Sequence, residues 1–262
     1  MHDRVPRFIP LLAAVLGLAC APGCGSRDSN GTVLTVFAAS SLTEAFGELE
    51  AGFEARSPTV DVRLSFAGSQ VLRLQLEQGA AADVFASANE EHMRALVDDG
   101  LVSRSEIFAH NALVVVVPNE GSAVETFADL PLATRLVVGT SDVPVGMYTR
   151  LLLERAREPL GEDFVARVRE HVVSEESNVR LARAKVELGE ADAAIVYRTD
   201  AHASTRVRAI PVPEALEVRA DYPIGPVARS TELALAERFI AFVRSPPGRR
   251  ILDEHGFVTE VP

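Results

Sequence analysis

A chain of 262 residues has room for a large buried core and for more than one lobe. Hydrophobic residues make up 47% and charged residues 24%, the ordinary balance of a globular chain. The formal charge of −11 argues against nucleic acid as a partner, because phosphate backbones require a basic surface. Any anion the chain binds must therefore be held by local donors and dipoles, against the overall field.

The first segment reads as a targeting signal. Arg4 and Arg7 precede an apolar run over residues 8–19, FIPLLAAVLGLA, too short for a convincing membrane span and typical of an export leader. Cys20 and Cys24, the two cysteines of the chain, both lie at its end, so a disulfide or cysteine metal site downstream is excluded. Their position resembles that of the lipid-modified cysteine of bacterial lipoproteins. Residues 1–24 are then a signal peptide ending in the lipid-attachment residue Cys24, preceded by the small Gly23, with Cys20 as the alternative; cleavage without an anchor stays open. Residues 25–31, GSRDSNG, form a short tether.

From residue 32 the pattern alternates strand and helix. The stretch TVLTVFAASSLTEAF over residues 32–46 predicts a buried strand near 33–39, halted by Ser40 and Ser41, then a helix over 42–56 with Ala45, Phe46, Leu49 and Phe53 at helical spacing. Ser41 and Glu44 fit a capping box. Residues 60–66 alternate as a strand, 70–78 form a helix, and 83–87 form a short strand. Asn89 caps the helix that follows, which stops at Gly100. NALVVVVP over 111–118 is the strongest apolar run and predicts a central strand crossing between lobes. A helical turn near 124–130, a strand at 136–139 and helices over 146–157 and 162–170 come next, then a short strand at Val172 and Val173. A helix over 179–188, a strand at 193–197 and an edge strand at 207–212 complete the set. Pro223 and Pro226 argue against an unbroken central strand over 222–228. Ser230 is expected to cap an amphipathic helix carrying Leu233, Leu235, Phe239, Ile240 and Val243, which PPG at 246–248 separates from a last helix.

Several of these strand-to-helix junctions carry small polar residues: Ser40 and Ser41, Gly68 and Ser69 in FAGSQVL, VPVGMY over 143–148, EESNVRLA over 175–182, and Tyr197 at the end of AAIVY. Helix N-termini present free N–H groups and favour negative charge, and in open α/β sheets such junctions line one crevice. The inferred target is a small anion. Taken singly, the serines are ordinary caps, Val145 and Val179 core filling, and Tyr197 a buried aromatic. The sequence holds no H-E-x-x-H motif, P-loop, G-x-G-x-x-G loop or nucleophile elbow. His2, His92, His110, His171, His202 and His255 lack metal-ligand spacing. Asp83, Asp142, Asp192 and Asp200 lie near strand ends and leave paired-carboxylate chemistry open. Arg73 and Arg180 are expected on solvated helix faces.

The order and spacing of VFAASSLTEAF, SFAGSQVLRLQLEQGAAADVFASAN, NALVVVVP, VGTSDVPVGMY, SNVRLARAKVELGEADAAIVYRTDA and ILDEHGF resemble the periplasmic molybdate-binding component of bacterial ABC transporters across the mature region. The resemblance implies an α/β, two-lobed periplasmic-binding-protein fold of type II, each lobe a mixed sheet flanked by helices. Residues 32–112 and 223–262 would form lobe 1, and 113–222 lobe 2. It implies reversible capture of molybdate or tungstate at Ser41, Ser69, Val145, Val179 and Tyr197, with Ser40, Gly68, Gly146 and Asn178 as supporting positions. Ser69 stands in AGSQ, where the family has a cluster richer in serine. The implied protein is a monomeric, extracytoplasmic receptor, lipid-anchored to a membrane. It has no catalytic residue, no cofactor, no metal beyond the oxyanion and no nucleic-acid partner, and it delivers its ligand to an ABC permease served by a separate ATPase. The rival expectations are a receptor for sulfate or another oxyanion, an α/β enzyme acting on a phosphorylated compound, and a surface-adhesion lipoprotein.

Overall fold

The structure, a computed structural model, describes residues 31–260. Cys20, Cys24, the leader and nearly all of the tether lie outside the described residues. From Gly31 onward the chain forms one compact unit, and among the described residues no helix is long and apolar enough to cross a membrane.

Among the described residues nine strands join in one continuous sheet with two differently built halves. In the first half β1 (Thr32–Ala39) pairs in parallel with β2 (Val60–Ala67) and β3 (Val84–Ala86). The returning strand β9 (Arg219–Pro226) runs antiparallel to β3. In the second half β5 (Leu136–Gly139) pairs in parallel with β6 (Val172–Glu176) and β7 (Ala193–Tyr197). The long strand β4 (Glu106–Pro118) belongs to both. Its residues 106–112 pair with β9, and its residues 113–118 pair with β7 and with β8 (Val207–Pro211). A run buried on both faces is what a strand in this position requires; residues 108–117 of β4 are all buried.

Helices cover both halves: α1 (Thr43–Glu54), α2 (Ser69–Glu77), α3 (Glu90–Asp98), α8 (Leu233–Val243) and α9 (Pro246–Glu254) on the first, and α4 (Pro144–Leu160), α5 (Glu162–Glu170), α6 (Val179–Glu187) and the short α7 (Arg198–His202) on the second. The apolar stripe of α1 packs Phe46 and Phe53 edge-on against Phe239 of α8 at 6.2 and 5.3 Å between ring centres. Such aromatic pairs add about 0.5–1.5 kcal/mol beyond the area they bury.

Four local expectations are corrected. Ser41 caps nothing: residues Ser40–Leu42 form a 3-10 turn, α1 starts at Thr43, and its N-cap Leu42 has no side-chain cap. β9 is an unbroken strand between β3 and β4 despite its prolines. Pro223 faces β4 where the register shifts between Ile107 and Ala109, and its carbonyl still accepts from the Ser87 N–H at 2.9 Å, as that of Pro226 does from Ser103 at 3.1 Å. A bulge thus absorbs the missing donor. Ser230 stops short of α8; its hydroxyl donates to Asp83 Oδ1 at 2.6 Å and accepts from the Glu232 N–H at 3.0 Å. Pro246 opens α9 rather than separating it, since a proline in the first turn has no N–H to lose. The Asn89 cap forms as expected, accepting from the His92 N–H at 3.2 Å, and β8, paired with β4 alone, takes the edge position its proline demands.

Candidate functional site

The carboxyl ends of β1, β2, β5 and β7 meet the starts of the 3-10 turn, α2, α4 and α6 at a small cavity between the two sheet halves. Ser40, Ser41, Gly68 and Ser69 line it from one side; Val145, Val179 and Tyr197 line it from the other. All five residues singled out as direct ligands therefore share one cavity, together with Ser40 and Gly68. No charged side chain lines it. Its free space is about 10 Å³, which suits only a compact occupant.

Helix geometry supplies the donors. The first N–H groups of a helix have no partner within it. In α2 the capping carbonyl of Gly68 takes up the N–H groups of Val71 and Leu72, so those of Ser69 and Gln70 stay outside the helix ladder. In α6 Asn178 caps through Leu181 and Ala182, with Val179 at the first position. In α4 the first residue is Pro144, and the Val145 N–H comes next. Three helix starts thus converge on one point, where their dipoles favour negative charge.

The hydroxyls add to this set. Ser69 Oγ accepts from the Ala88 N–H at 3.0 Å, and Ser41 Oγ lies 2.9 Å from the Tyr222 hydroxyl. The Tyr197 hydroxyl is fully buried with no partner among the described residues, an unusual state that an occupant of the cavity would relieve. Burial pushes the phenols of both Tyr197 and Tyr222 well above their ordinary range, so both remain protonated donors.

Gly146 and Asn178 stand behind the lining. A Cβ on Gly146 would fall 2.1 Å from the Thr140 carbonyl oxygen, so glycine lets α4 begin directly on the end of β5. Gly68 is constrained in the same way, since a Cβ there would sit 2.4 Å from Gln70 Oε1 and 2.5 Å from the Ser177 carbonyl oxygen. The space is used by Gln70, whose Nε2 donates to that carbonyl at 2.8 Å across the cleft. Gln70 in AGSQ thus forms a bridge between the halves.

Further contacts cross the same cleft, among them Asn89 Nδ2 donating to Met147 Sδ at 3.3 Å. His92 Nε2 donates to the Asp142 carbonyl at 2.8 Å, and Arg180 pairs with Glu44 at 2.5 Å. Arg180 is consequently not on a free solvated face, while Arg73 pairs with Glu77 one turn along its own helix at 3.3 Å. The four aspartates near strand ends stand apart, three of them with side-chain partners of their own. Asp83 accepts from Thr35 and Ser230, Asp192 from Thr134 and Arg135, Asp142 from Thr140, and Asp200 is buried in α7. No group of three metal-ligating side chains occurs among the described residues. The local sequence does not mark Tyr222 and Asn111, which lie behind Ser41, or Ala88, which lines the cavity beside Ser69.

Two sheet halves sharing strand β4 around a cleft of neutral donors define a protein that captures a small solute. The chain belongs to the family described as bacterial extracellular solute-binding protein, which it matches over residues 34–258. It is thus a binding protein and not an enzyme. The molybdate-binding protein ModA of Mycobacterium tuberculosis is 39% identical over 228 residues, covering 86% of this chain and 84% of that one. The periplasmic molybdate-binding protein of Azotobacter vinelandii superposes with a TM-score of 0.75 at 20% identity, over 87% of this chain and 99% of its own. The sulfate-binding protein SubI of Mycobacterium tuberculosis does so with a TM-score of 0.78 at 21% identity, over 88% of each chain. The fold alone therefore does not separate these ligands.

Proposed function

We propose that this chain is an extracytoplasmic receptor that binds molybdate, and tungstate nearly as well, and hands it to an ABC permease. The observation that carries the reading is the convergence of Ser41, Ser69, Val145, Val179 and Tyr197 on one uncharged cavity. The 39% identity to a molybdate-binding protein supports it. A tetrahedral dianion offers four acceptor oxygens and no proton at neutral pH, so it fits converging N–H and O–H donors and needs no buried counter-charge. Capture breaks no bond. Lobe 1 is residues 32–112 and 223–262 and lobe 2 is 113–222, the halves moving about β4 and β9. Closure then excludes water and strengthens each hydrogen bond to the anion. The receptor acts as a monomer, tethered through a lipid on Cys24 or, failing that, Cys20. The second reading is a sulfate receptor, a ligand that the same fold serves in SubI.

Calorimetric titration of the mature protein in buffer free of sulfate and phosphate decides between them. Molybdate and tungstate are expected to bind 1:1, with sulfate much weaker. Saturation by sulfate with no heat from molybdate rejects the assignment. Intact-mass analysis of membrane-extracted protein tests the anchor, and a soluble chain starting beyond Cys24 removes it without touching the ligand reading.

A further inference from the structure

Behind the cavity a chain of buried polar groups ends at Ser41. Asn111 on β4 is 2% exposed and Tyr222 on the adjacent β9 is fully buried. The Ala112 N–H donates to Asn111 Oδ1 at 3.0 Å, and since an N–H can donate only to the oxygen, the orientation of the Asn111 amide is determined. Its Nδ2 then faces two hydroxyls, Thr199 Oγ1 at 2.9 Å and Tyr222 Oη at 3.4 Å. An amide nitrogen carries two hydrogens and no lone pair for accepting, so Asn111 is the donor in both contacts. Tyr222 Oη, accepting from Asn111, lies 2.9 Å from Ser41 Oγ, a contact in which either hydroxyl can be the donor and to which Tyr222 can supply its own hydrogen. With Tyr222 as the donor, Ser41 has its hydrogen left for the cavity it lines.

We propose that Asn111 and Tyr222 are positioning residues that hold Ser41 as a hydrogen-bond donor toward the bound oxyanion, and so favour fully deprotonated oxyanions over those that carry a proton. The proposal rests on the oxyanion reading above and extends it to the selection of ligand charge state. Ser69 is engaged in a similar way by a different partner: the Ala88 N–H donates to its oxygen, leaving its hydrogen for the cavity both residues line. The side-chain donors are therefore all polarised one way. A protonated oxyanion such as hydrogen phosphate must donate its own hydrogen somewhere, and at these positions it meets donors. Leaving such a group unpaired in a buried site is costly.

The test is a double-mutant cycle of Tyr222→Phe and Ser41→Ala, titrated with molybdate and with inorganic phosphate as competitor at pH 7. Tyr222→Phe keeps the ring in its contacts with Tyr197 and Phe257, at 5.8 and 5.3 Å between centres, and removes only the hydroxyl. In the wild-type background it is expected to weaken molybdate about tenfold, the scale of one compromised hydrogen bond to an anion. Phosphate should weaken far less, so the preference for molybdate narrows by nearly the same factor. In the Ser41→Ala background Tyr222→Phe should change molybdate binding by less than about threefold, because residues that act as one unit are not additive. Should Ser41→Ala fail to fold, the same cycle is run with Asn111→Ala, with the same non-additivity expected. Additive costs, or equal weakening of both anions, overturn the relay while molybdate binding by the wild type still stands. Absence of molybdate binding by the wild type overturns the ligand assignment, and the relay falls with it.

Discussion

Replacing Tyr197 by phenylalanine separates a binding role from a structural one, because the two predict opposite signs. The ring is 1% exposed and lies between Tyr148 and Tyr222 at 6.4 and 5.8 Å, contacts that phenylalanine retains. The hydroxyl has no partner among the described residues, and a buried hydroxyl in that state costs about 1–3 kcal/mol. Its removal should leave the ligand-free protein as stable as before or raise its melting temperature, by roughly 2–4 °C per kcal/mol recovered for a domain of this size. Loss of a hydrogen bond to a charged ligand costs about 1.5–3 kcal/mol, or about 10- to 150-fold in affinity. Scanning calorimetry without ligand and titration with molybdate measure the two quantities on one preparation. The reasoning is refuted by unchanged affinity in the folded variant, or by a lower melting temperature with no ligand present.

Other perturbations test the frame around the cavity. Gly146→Ala places a methyl group against the Thr140 and Gly139 carbonyl oxygens, at 2.1 and 2.4 Å; overpacking of this kind costs on the order of 1–3 kcal/mol, and a melting temperature equal to wild type would contradict it. Arg180→Ala breaks the ion pair to Glu44 across the cleft, but both side chains are about one-third exposed, so solvent limits the effect to at most about 1 kcal/mol. Stopped-flow release of molybdate should accelerate by no more than about fivefold, and the double variant with Glu44→Ala should release no faster than Arg180→Ala. Burial pushes the Asp200 carboxyl up to about 7 from its ordinary 3.8, against the lowering influence of Arg183 and Arg180. A folded pKa above the unfolded one means stability present at low pH and lost as pH rises through about 7. The melting temperature of the wild type should accordingly fall relative to that of Asp200→Asn between pH 5 and pH 8, and parallel curves would rule this out.

Strand β5 and helix α5 span the residues that periodicity alone marks out, because short apolar runs and amphipathic stripes report burial directly. The failures occur where one chemical pattern serves two purposes. Ser41 and Glu44 have the spacing of a capping box, yet an intervening 3-10 turn releases Ser41 toward Tyr222, 181 residues further along the chain. Pro223 and Pro226 lack donors for a ladder, but a bulge in β4 and the use of their carbonyls let β9 occupy a central position. Neither outcome is written in the local sequence. The same holds for Asn111, which reads as the start of an apolar strand and serves as a buried amide with every polar atom engaged.

A site lined by neutral groups in a chain of net charge −11 places the work of recognition at short range. The net charge does not attract a dianion to this surface, and Arg180, a cation at the cleft, is already paired with Glu44. What remains is the first turn of three helices and three hydroxyls, each effective only within hydrogen-bond distance. Such donors reward an anion whose oxygens meet them together and give little to one of another size, so affinity and selectivity have the same origin. A buried arginine would bind many anions tightly. Backbone amides fixed by helix starts cannot move to accommodate them; glycine at 146 lets α4 begin directly on the end of β5, and glycine at 68 lets the start of α2 lie against the Ser177 carbonyl.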